Sequence, residues 1–219
     1  MRYLTYVQHQ WRYASPLQRI LHVLNVAGIY IQPFYVFLEG LPERPDPLLE
    51  KEYEDFTISF LELGDLPLFL TMPERNIPER LLRGWFESGK LCLGVKYRGE
   101  LVAFTWCDLE ECRFTGFHFP LRENEAYLFD AHTSLPHRGK GLAPFVRYRS
   151  YQVLAAMGRT RLYSISGRWN YPALRLQEKL GGRIIGAGIS CKLLRRWGWT
   201  LMPRRYKAVL MSSTLRRGA

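Results

Sequence analysis

The chain has 219 residues, of which 47% are hydrophobic and 23% are charged. These proportions are typical of one globular domain with an elaboration, or of two small ones, and they exclude a disordered, collagen-like or low-complexity chain. Lysine and arginine number 31 against 20 acidic residues, which gives a formal charge of +11. This excess favours an anionic partner without choosing among nucleic acid, an anionic membrane and a phosphorylated ligand.

The charge is unevenly distributed along the chain. Residues 39–65 carry nine acidic and two basic residues, whereas the last thirty residues carry eight basic residues and no acidic one. The positive excess is therefore partly a basic C-terminal tail.

The four cysteines form no CxxC pair and no zinc-type spacing with the five histidines, so we expect no metal site. Unpaired cysteines, together with an N-terminus that does not resemble a signal peptide, predict a reducing, cytoplasmic location. Cys92 and Cys107 lie in apolar runs, which predicts that they are small core residues and not nucleophiles.

The N-terminal 53 residues are predicted to form an extension. Residues 20–38 carry no formal charge and approach the length of a membrane span, but Asn25, Gln32 and Pro33 interrupt them. A helix over residues 16–27 and a strand over residues 29–38 are favoured instead. Loose attachment to a membrane through this segment remains an alternative.

Residues 40–47 contain three prolines and are predicted to be a connector. Beyond it, apolar periodicity and glycine positions predict a regular series of elements. In chain order they are a strand at 56–63, helices at 66–71 and 78–88, a hairpin of 91–97 and 101–107, a strand at 125–133, a helix at 141–157, a strand at 161–165, a helix at 172–180 and a strand at 183–194. This order predicts an α/β fold with a mixed sheet and helices on its faces.

The loop between the strand ending near Thr133 and the next helix carries the most informative motif. Its sequence is His137-Arg138-Gly139-Lys140-Gly141-Leu142-Ala143. Two glycines allow a tight turn with no Cβ in the way of a ligand, and the helix directs its free N–H groups at the loop. These features favour phosphate binding, to which Arg138 and Lys140 add positive charge. The loop matches neither GxxxxGK[ST] nor GxGxxG, which argues against nucleoside triphosphates and dinucleotides.

Arg138, Gly141 and Ala143 match the Arg/Gln-x-x-Gly-x-Gly/Ala signature of the GNAT superfamily of acyl-CoA-dependent N-acyltransferases. Residues 170–181 are similar to that family's Asn-x-x-Ala-x-x-Leu-Tyr-Glu-Lys-Leu-Gly helix, and the chain resembles the family over about residues 54–190. The resemblance implies a mixed, mostly antiparallel central sheet flanked by helices, with splayed central strands. It also implies an acyltransferase domain at 54–219 that ends in the basic tail, after the extension at 1–53.

The resemblance further implies that acetyl-CoA or another acyl-CoA is the co-substrate. The implied cofactor-binding residues are Thr133, Arg138, Gly139, Lys140, Gly141, Leu142, Ala143, Asn170 and Ala173. Backbone amides of the loop would bind the pyrophosphate, and the thioester would lie between the strands at 127–133 and 161–165. Unpaired N–H groups at the strand end would stabilise the oxyanion while an amine attacks directly.

The proton-transfer groups are left open. Gln177 stands where the family often has a tyrosine that reprotonates the thiolate, and glutamine cannot be a general acid. Tyr171, Tyr163 or an ordered water are the candidates for that role. Leu135-Pro136-His137 also replaces the usual Pro-x-x before the arginine, which is expected to shift the end of the strand.

Glu125, Asp130 and His132 are the candidates for the general base. Asp130 and His132 share a face if their strand is regular, but a bulge would change the parity. Structural roles are the alternatives: a hydrogen-bonded His132, a capping Asp130 and an Asn170 that caps the following helix.

The resulting hypothesis is an N-acetyltransferase that acts on an amine of a small molecule or sugar intermediate. The alternatives are an aminoacyl-tRNA-dependent transferase of related fold and a non-catalytic CoA-binding or membrane-associated protein. Trp197 and Trp199, with nearby arginines, could stack on nucleic acid, but an edge strand is favoured and we do not expect nucleic acid as a partner. Peripheral contact with a membrane stays open.

Overall fold

The computed structural model describes residues 16–41, 55–72, 75, 77–115, 117–194 and 197–204. The helices are α1 (Pro16–Val26), α2 (Leu66–Leu70), α3 (Glu79–Glu87), α4 (Leu142–Ala156) and α5 (Tyr171–Lys179). The strands are β1 (Ile29–Glu39), β2 (Phe56–Leu61), β3 (Leu91–Tyr97), β4 (Glu100–Asp108), β5 (Glu111–Phe114), β6 (Phe117–Pro120), β7 (Glu125–Thr133), β8 (Arg161–Gly167), β9 (Arg183–Leu193) and β10 (Trp197–Leu201). The predicted helices and strands are all present, with ends shifted by a few residues at most.

Eight strands form one sheet in the order β10-β9-β1-β8-β7-β4-β3-β2. Every neighbouring pair is antiparallel except β7 and β8, which run parallel. This parallel pair is registered over three positions only, from Glu125↔Arg161 to Tyr127↔Tyr163. Beyond them the two strands separate and leave a gap, so the predicted mixed, mostly antiparallel sheet with splayed central strands is confirmed.

The N-terminal strand β1 lies inside this sheet. It pairs with β8 on one side and with β9 on the other, and Phe34 and Val36 are fully buried. The helix and strand predicted for the first 53 residues are thus present, but the strand is built into the sheet that carries the glycine loop. Residues 42–54 lie outside the described part of the chain, so the domain boundary at 53/54 stays a prediction.

A two-stranded hairpin, β5 and β6, occupies the stretch between β4 and β7, for which the sequence predicts no element. Its two strands have four residues each, too few to show a period of two in the sequence. The hairpin packs on the sheet through Phe119, whose ring lies 5.6 Å from that of Tyr163. The carbonyl of Thr115 accepts hydrogen bonds from the hydroxyls of Ser190 and Thr200. The hairpin therefore ties the middle of the sheet to its β9–β10 edge.

Successive side chains of β4 point to opposite faces of the sheet and pack against different helices. Phe104 and Trp106 pack against α2 and α3, whereas Ala103 and Cys107 belong to clusters formed with α4. Cys92 and Cys107 are buried and free, so their predicted place in the core is confirmed. Among the described helices, none has the length and apolar character needed to span a bilayer.

Candidate active site

A β-bulge interrupts β7 beside the gap. Phe129 pairs with Trp106 and His132 with Phe104, so Asp130 and Ala131 together oppose one residue of β4. Asp130 has a φ of 44°, in the left-handed region. A bulge leaves backbone groups outside the ladder and re-aims the side chains that follow. The rule that alternate residues of a regular strand share a face therefore does not apply to Asp130 and His132. This is the outcome that the sequence predicts for a bulge in this strand.

The glycine loop joins the end of β7 to the start of α4. Gly139 and Gly141 have φ values of 77° and 81°, which explains why glycine occupies both positions. Gly141 is the N-cap of α4 and supplies no capping side chain. Among the described residues, no backbone carbonyl accepts from the amides of Gly139, Gly141, Leu142 or Ala143. The loop thus presents a cluster of donors at a helix N-terminus, a geometry that suits phosphate oxygens.

Side chains on either side of the glycines fix the loop in place. The Nε of Arg138 donates to the carbonyl of Thr133 at 3.0 Å, which closes the loop back onto the end of β7. His137 Nδ1 lies 2.9 Å from the hydroxyl of Ser134, and its ring packs on Tyr97 at 5.6 Å. The donors are therefore held by the sheet and do not depend on a ligand for their position.

The start of α5 lies at the same end of the molecule. Because β7 and β8 are parallel, the glycine loop after β7 and the α5 N-terminus after β8 flank the open end of the gap. Asn170 Oδ1 accepts from the amide of Ala173 at 3.4 Å, which is the predicted capping role. Tyr171 is exposed beside it. Thr133, the loop and Asn170 therefore all lie at or beyond the ends of β7 and β8 at which the two strands are no longer paired.

Glu125 lies at the opposite end of β7, eight residues or about 26 Å from Thr133. It is buried, and it accepts hydrogen bonds from the Tyr163 hydroxyl at 2.8 Å and the Arg122 amide at 3.1 Å. Burial and the bond to Glu125 raise the pKa of Tyr163 to about 12. The structure therefore does not bring this predicted base and this predicted acid near the glycine loop.

Asp130, the second predicted base, forms an ion pair with Arg75, and its side chain is only 9% exposed. Its Oδ2 atom is buried and has no hydrogen-bond partner among the described residues. The same holds for the Thr133 hydroxyl and for Nε1 of Trp106. Buried polar atoms are normally paired. Two of these three atoms, on Asp130 and Thr133, belong to the strand that borders the gap, whereas Trp106 lies in the core.

Sequence reasoning missed a buried polar network beneath the gap. Glu39, at the end of β1, accepts two hydrogen bonds from Arg147 of α4, both at 2.9 Å, and a third from the Tyr151 hydroxyl. Arg147 also donates to the hydroxyl of Thr105, the β4 residue that faces the bulge, at 2.9 Å. One network thus links the N-terminal strand, the helix of the glycine loop and the strand opposite the bulge.

Gln177 completes this network. Its Nε2 donates to Glu39 at 2.6 Å and to the Ser164 hydroxyl at 3.0 Å, and its side chain is buried. The residue that departs from the family pattern therefore holds α5 against β1 and β8. No short motif could have revealed this role, because Gln177 and Glu39 are 138 positions apart in the sequence.

The two charges of the network balance each other, although Oε1 of Gln177 is buried without a hydrogen-bond partner among the described residues. Burial opposes ionisation of Glu39, but the charge and the hydrogen bonds of Arg147 outweigh it and lower the pKa of this carboxyl. Burial likewise opposes the charge of Arg147, and Glu39 outweighs it and raises the pKa of the guanidinium. Both groups are therefore charged at neutral pH, which makes them a fully buried ion pair.

Several solved structures of similar fold but low sequence identity are assigned to acetyltransferases. A GNAT-family acetyltransferase from Colwellia psychrerythraea is 15% identical, covering 82% of this chain and 63% of its own, with a TM-score of 0.55. A protein from Novosphingobium aromaticivorans assigned to the same family is 22% identical, over 76% of this chain and 66% of its own, with a TM-score of 0.55. A GCN5-related N-acetyltransferase-like protein from Streptococcus suis is 14% identical, over 78% and 66%, with a TM-score of 0.54.

These comparisons show the GNAT fold, and they confirm the predicted resemblance at the level of the fold. The chain spans 66% or less of the length of each of these three proteins. No family model and no curated protein matches the sequence.

Proposed function

We propose that this chain is an N-acyltransferase that takes an acetyl group from acetyl-CoA and transfers it to an amine. The observation that carries the proposal is the cluster of free amides at Gly139, Gly141, Leu142 and Ala143, held at the open end of the gap between β7 and β8. Such a cluster matches the oxygens of a pyrophosphate, and the gap can admit an extended thioester arm. An activated acyl group is the chemistry that acetyl-CoA supplies.

In this proposal each part of the site has one task. The loop amides and Arg138 hold the pyrophosphate, and Asn170 keeps the start of α5 in place beside the gap. Backbone N–H groups freed from the ladder by the bulge stabilise the oxyanion as the amine attacks, a contribution of a few kcal/mol in comparable sites. The amine attacks directly, and no side chain forms a covalent intermediate.

The base in this proposal is drawn from the residues at the bulge. His132 and Asp130 lie there, whereas Glu125 is engaged about 26 Å away. His132 is the preferred candidate because Asp130 is already paired with Arg75. For the proton returned to the thiolate, Tyr171 is preferred to Tyr163, because Tyr171 is exposed next to the gap and Tyr163 donates to Glu125.

The acceptor in this proposal is an amine of a small molecule or sugar intermediate, and the reaction takes place in the cytoplasm. Four free cysteines, three of them buried, are compatible with a reducing compartment. A non-catalytic CoA-binding protein is the second candidate, favoured by Gln177, whose amide replaces the family's acidic tyrosine and is engaged with Glu39.

Ligand-induced thermal stabilisation tests the proposal. Acetyl-CoA at a hundred times its dissociation constant should stabilise the chain by about 2.7 kcal/mol and raise its melting temperature. Gly141→Glu should abolish this rise, because a carboxylate at the helix N-terminus repels the pyrophosphate. Gly158→Glu is the matched control: Gly158 has nearly the same φ, 80°, at the other end of α4. This variant should keep the rise.

The absence of any shift with acetyl-, propionyl- or longer acyl-CoA would overturn the proposal. If CoA binds, release of free thiol over a panel of amines separates an enzyme from a non-catalytic binder. Turnover with an amine supports the acyltransferase, and binding without turnover across the panel supports the second candidate.

A further inference from the structure

Three strands at one edge of the sheet project beyond their neighbours. β1 pairs with β8 only as far as Phe34, but it continues to pair with β9 as far as Ile29. β10 pairs with β9 over the same stretch. We name these three segments, residues 29–33, 189–193 and 197–201, the tongue. Because β1 is antiparallel to β8, the tongue projects from the end of the sheet at which the gap between β7 and β8 opens.

The two faces of the tongue differ in chemistry. Residues directly opposite each other on neighbouring strands point to the same face. One face therefore consists of three apolar rows: Ile29, Leu193 and Trp197; Ile31, Cys191 and Trp199; Pro33, Ile189 and Leu201. The other face carries Tyr30, Gln32, Ser190, Lys192, Gly198 and Thr200. The β5–β6 hairpin reaches this second face, where Thr115 accepts from two of its hydroxyls.

The apolar face is open to solvent. Trp197, Trp199 and Leu201 are 63%, 46% and 61% exposed. At the tip, the amide of Leu194 donates to the carbonyl of Gly28 at 2.7 Å, which brings the last turn of α1 alongside. Helix α1 itself exposes Ile20, Val23 and Val26. Exposed large apolar side chains gathered on one face of a sheet mark a site of interaction.

The parts of the sequence that carry this surface have charge of one sign only. Neither residues 1–38 nor residues 179–219, the two parts of the chain that contain the tongue and α1, include an acidic residue. The last thirty residues contain eight basic ones. Exposed tryptophans favour the headgroup region of a bilayer, and basic segments are attracted to anionic lipids. The combination fits an anionic lipid surface better than the mixed-charge surface of another protein.

We propose that the apolar face of the tongue docks on membranes that contain anionic lipids. Trp197 and Trp199 enter the headgroup region, and the positive charge of these parts of the sequence favours anionic lipids. The docking does not depend on acyl transfer, so each proposal can fail without the other. The gap between β7 and β8 opens at the end of the sheet from which the tongue projects.

Vesicle co-sedimentation of the full chain tests the docking. We expect at least about tenfold stronger binding to vesicles of phosphatidylcholine with phosphatidylglycerol than to phosphatidylcholine alone, and weaker binding at high salt. Excess soluble glycerol phosphate should not compete, because it offers no apolar phase. The double variant Trp197→Ser, Trp199→Ser should bind about tenfold less tightly. Leu81→Ser, which removes an exposed leucine of α3, should bind like the wild type.

Three outcomes would overturn the docking proposal. The first is no binding to either kind of vesicle, and the second is equal binding by the folded double variant. The third is a dimer in light scattering that the double variant converts to monomer without changing vesicle binding, because the face would then be the surface between two copies. Should the double variant not fold, bromine-labelled lipids decide: they should quench wild-type tryptophan fluorescence, and less so after Trp197→Phe. No quenching would contradict the proposal.

Discussion

The glycine loop and the Glu39 network both involve helix α4, but they are built in opposite ways. The loop leads into the start of α4, and the network takes Arg147 and Tyr151 from it. The loop is six consecutive residues, 138–143, and its donors are backbone amides. The network takes its side chains from five elements, β1, β4, α4, β8 and α5, and joins residues up to 138 positions apart. The candidate binding site is therefore formed by backbone groups of neighbouring residues. The network behind it is formed by side chains that are far apart in the sequence.

This difference sets how each region responds to change. The loop amides keep their geometry as long as the two glycines and the attachment of Arg138 to Thr133 remain. The network holds a carboxylate and a guanidinium away from water, which costs several kcal/mol per ion unless every partner is present. We therefore expect mutations in the loop to act on ligand binding, and mutations in the network to act first on folding.

The largest effect is expected for Glu39→Ala. Removing the carboxylate takes two hydrogen bonds from the buried Arg147, one from the Tyr151 hydroxyl and one of the two that Gln177 Nε2 donates. Breaking a buried ion pair in this way costs about 3–5 kcal/mol. Urea denaturation followed by circular dichroism should show a fall of this size in the free energy of unfolding.

The control for this experiment is an exposed ion pair in a helix. Glu79 and Arg83 are bonded at 2.9 Å on the surface of α3, and both side chains are about half exposed. Glu79→Ala should cost no more than about 0.5 kcal/mol. If Glu39→Ala costs as little, the network does not hold α4 in place and the contrast with the loop is wrong.

The same contrast explains which parts could be predicted from the sequence. The glycine loop, the capping Asn170 and most elements follow from spacing over a few residues, and the structure has them where expected. The position of β1 between β8 and β9 could not be predicted, because strand pairing across more than a hundred residues leaves no local pattern. Arg147 carries no local sign of its role either, since its partner Glu39 lies 108 positions away.

The bulge in β7 is an intermediate case. A sequence can indicate a strand over residues 125–133, but whether Asp130 adopts a left-handed φ depends on the strand it pairs with. The bulge depends on how β7 pairs with β4, which is a tertiary property. The sequence therefore cannot decide whether Asp130 and His132 lie on the same face of the sheet. For this reason the glycine loop could be predicted with its residues, whereas the face of the sheet to which the candidate bases point could not.

The pH dependence of the free energy of unfolding gives a second test of the Glu39 network. We expect its effect to be smaller than that of Glu39→Ala. The folded pKa of Glu39 is lowered from an ordinary value of 4.5, chiefly because Arg147 outweighs the cost of burial. A lowered pKa contributes stability above the unfolded value, and that stability is lost as the pH falls through the folded value. Glu39→Gln removes this titration. The difference in unfolding free energy between wild type and Glu39→Gln should therefore shrink as the pH falls below about 4.5.

Urea denaturation at a series of pH values from neutral to acidic measures this difference. Glu79→Gln serves as the reference, because it removes an exposed carboxylate and should change the acid dependence little. A gap between wild type and Glu39→Gln that stays constant down to the most acidic pH would contradict an ionised Glu39 at neutral pH.

A smaller effect on stability than that of Glu39→Ala is expected for Arg138→Ala, which tests whether the loop serves binding more than folding. The substitution removes one exposed hydrogen bond to the Thr133 carbonyl, worth about 0.5–1.5 kcal/mol. It also removes a positive charge beside the proposed pyrophosphate position, so the thermal shift produced by acetyl-CoA should fall more than the stability does. Arg138→Lys keeps the charge but not the Nε donor, and it should restore the ligand shift more fully than the stability. Equal restoration of both would mean that Arg138 acts on the ligand only by holding the end of β7.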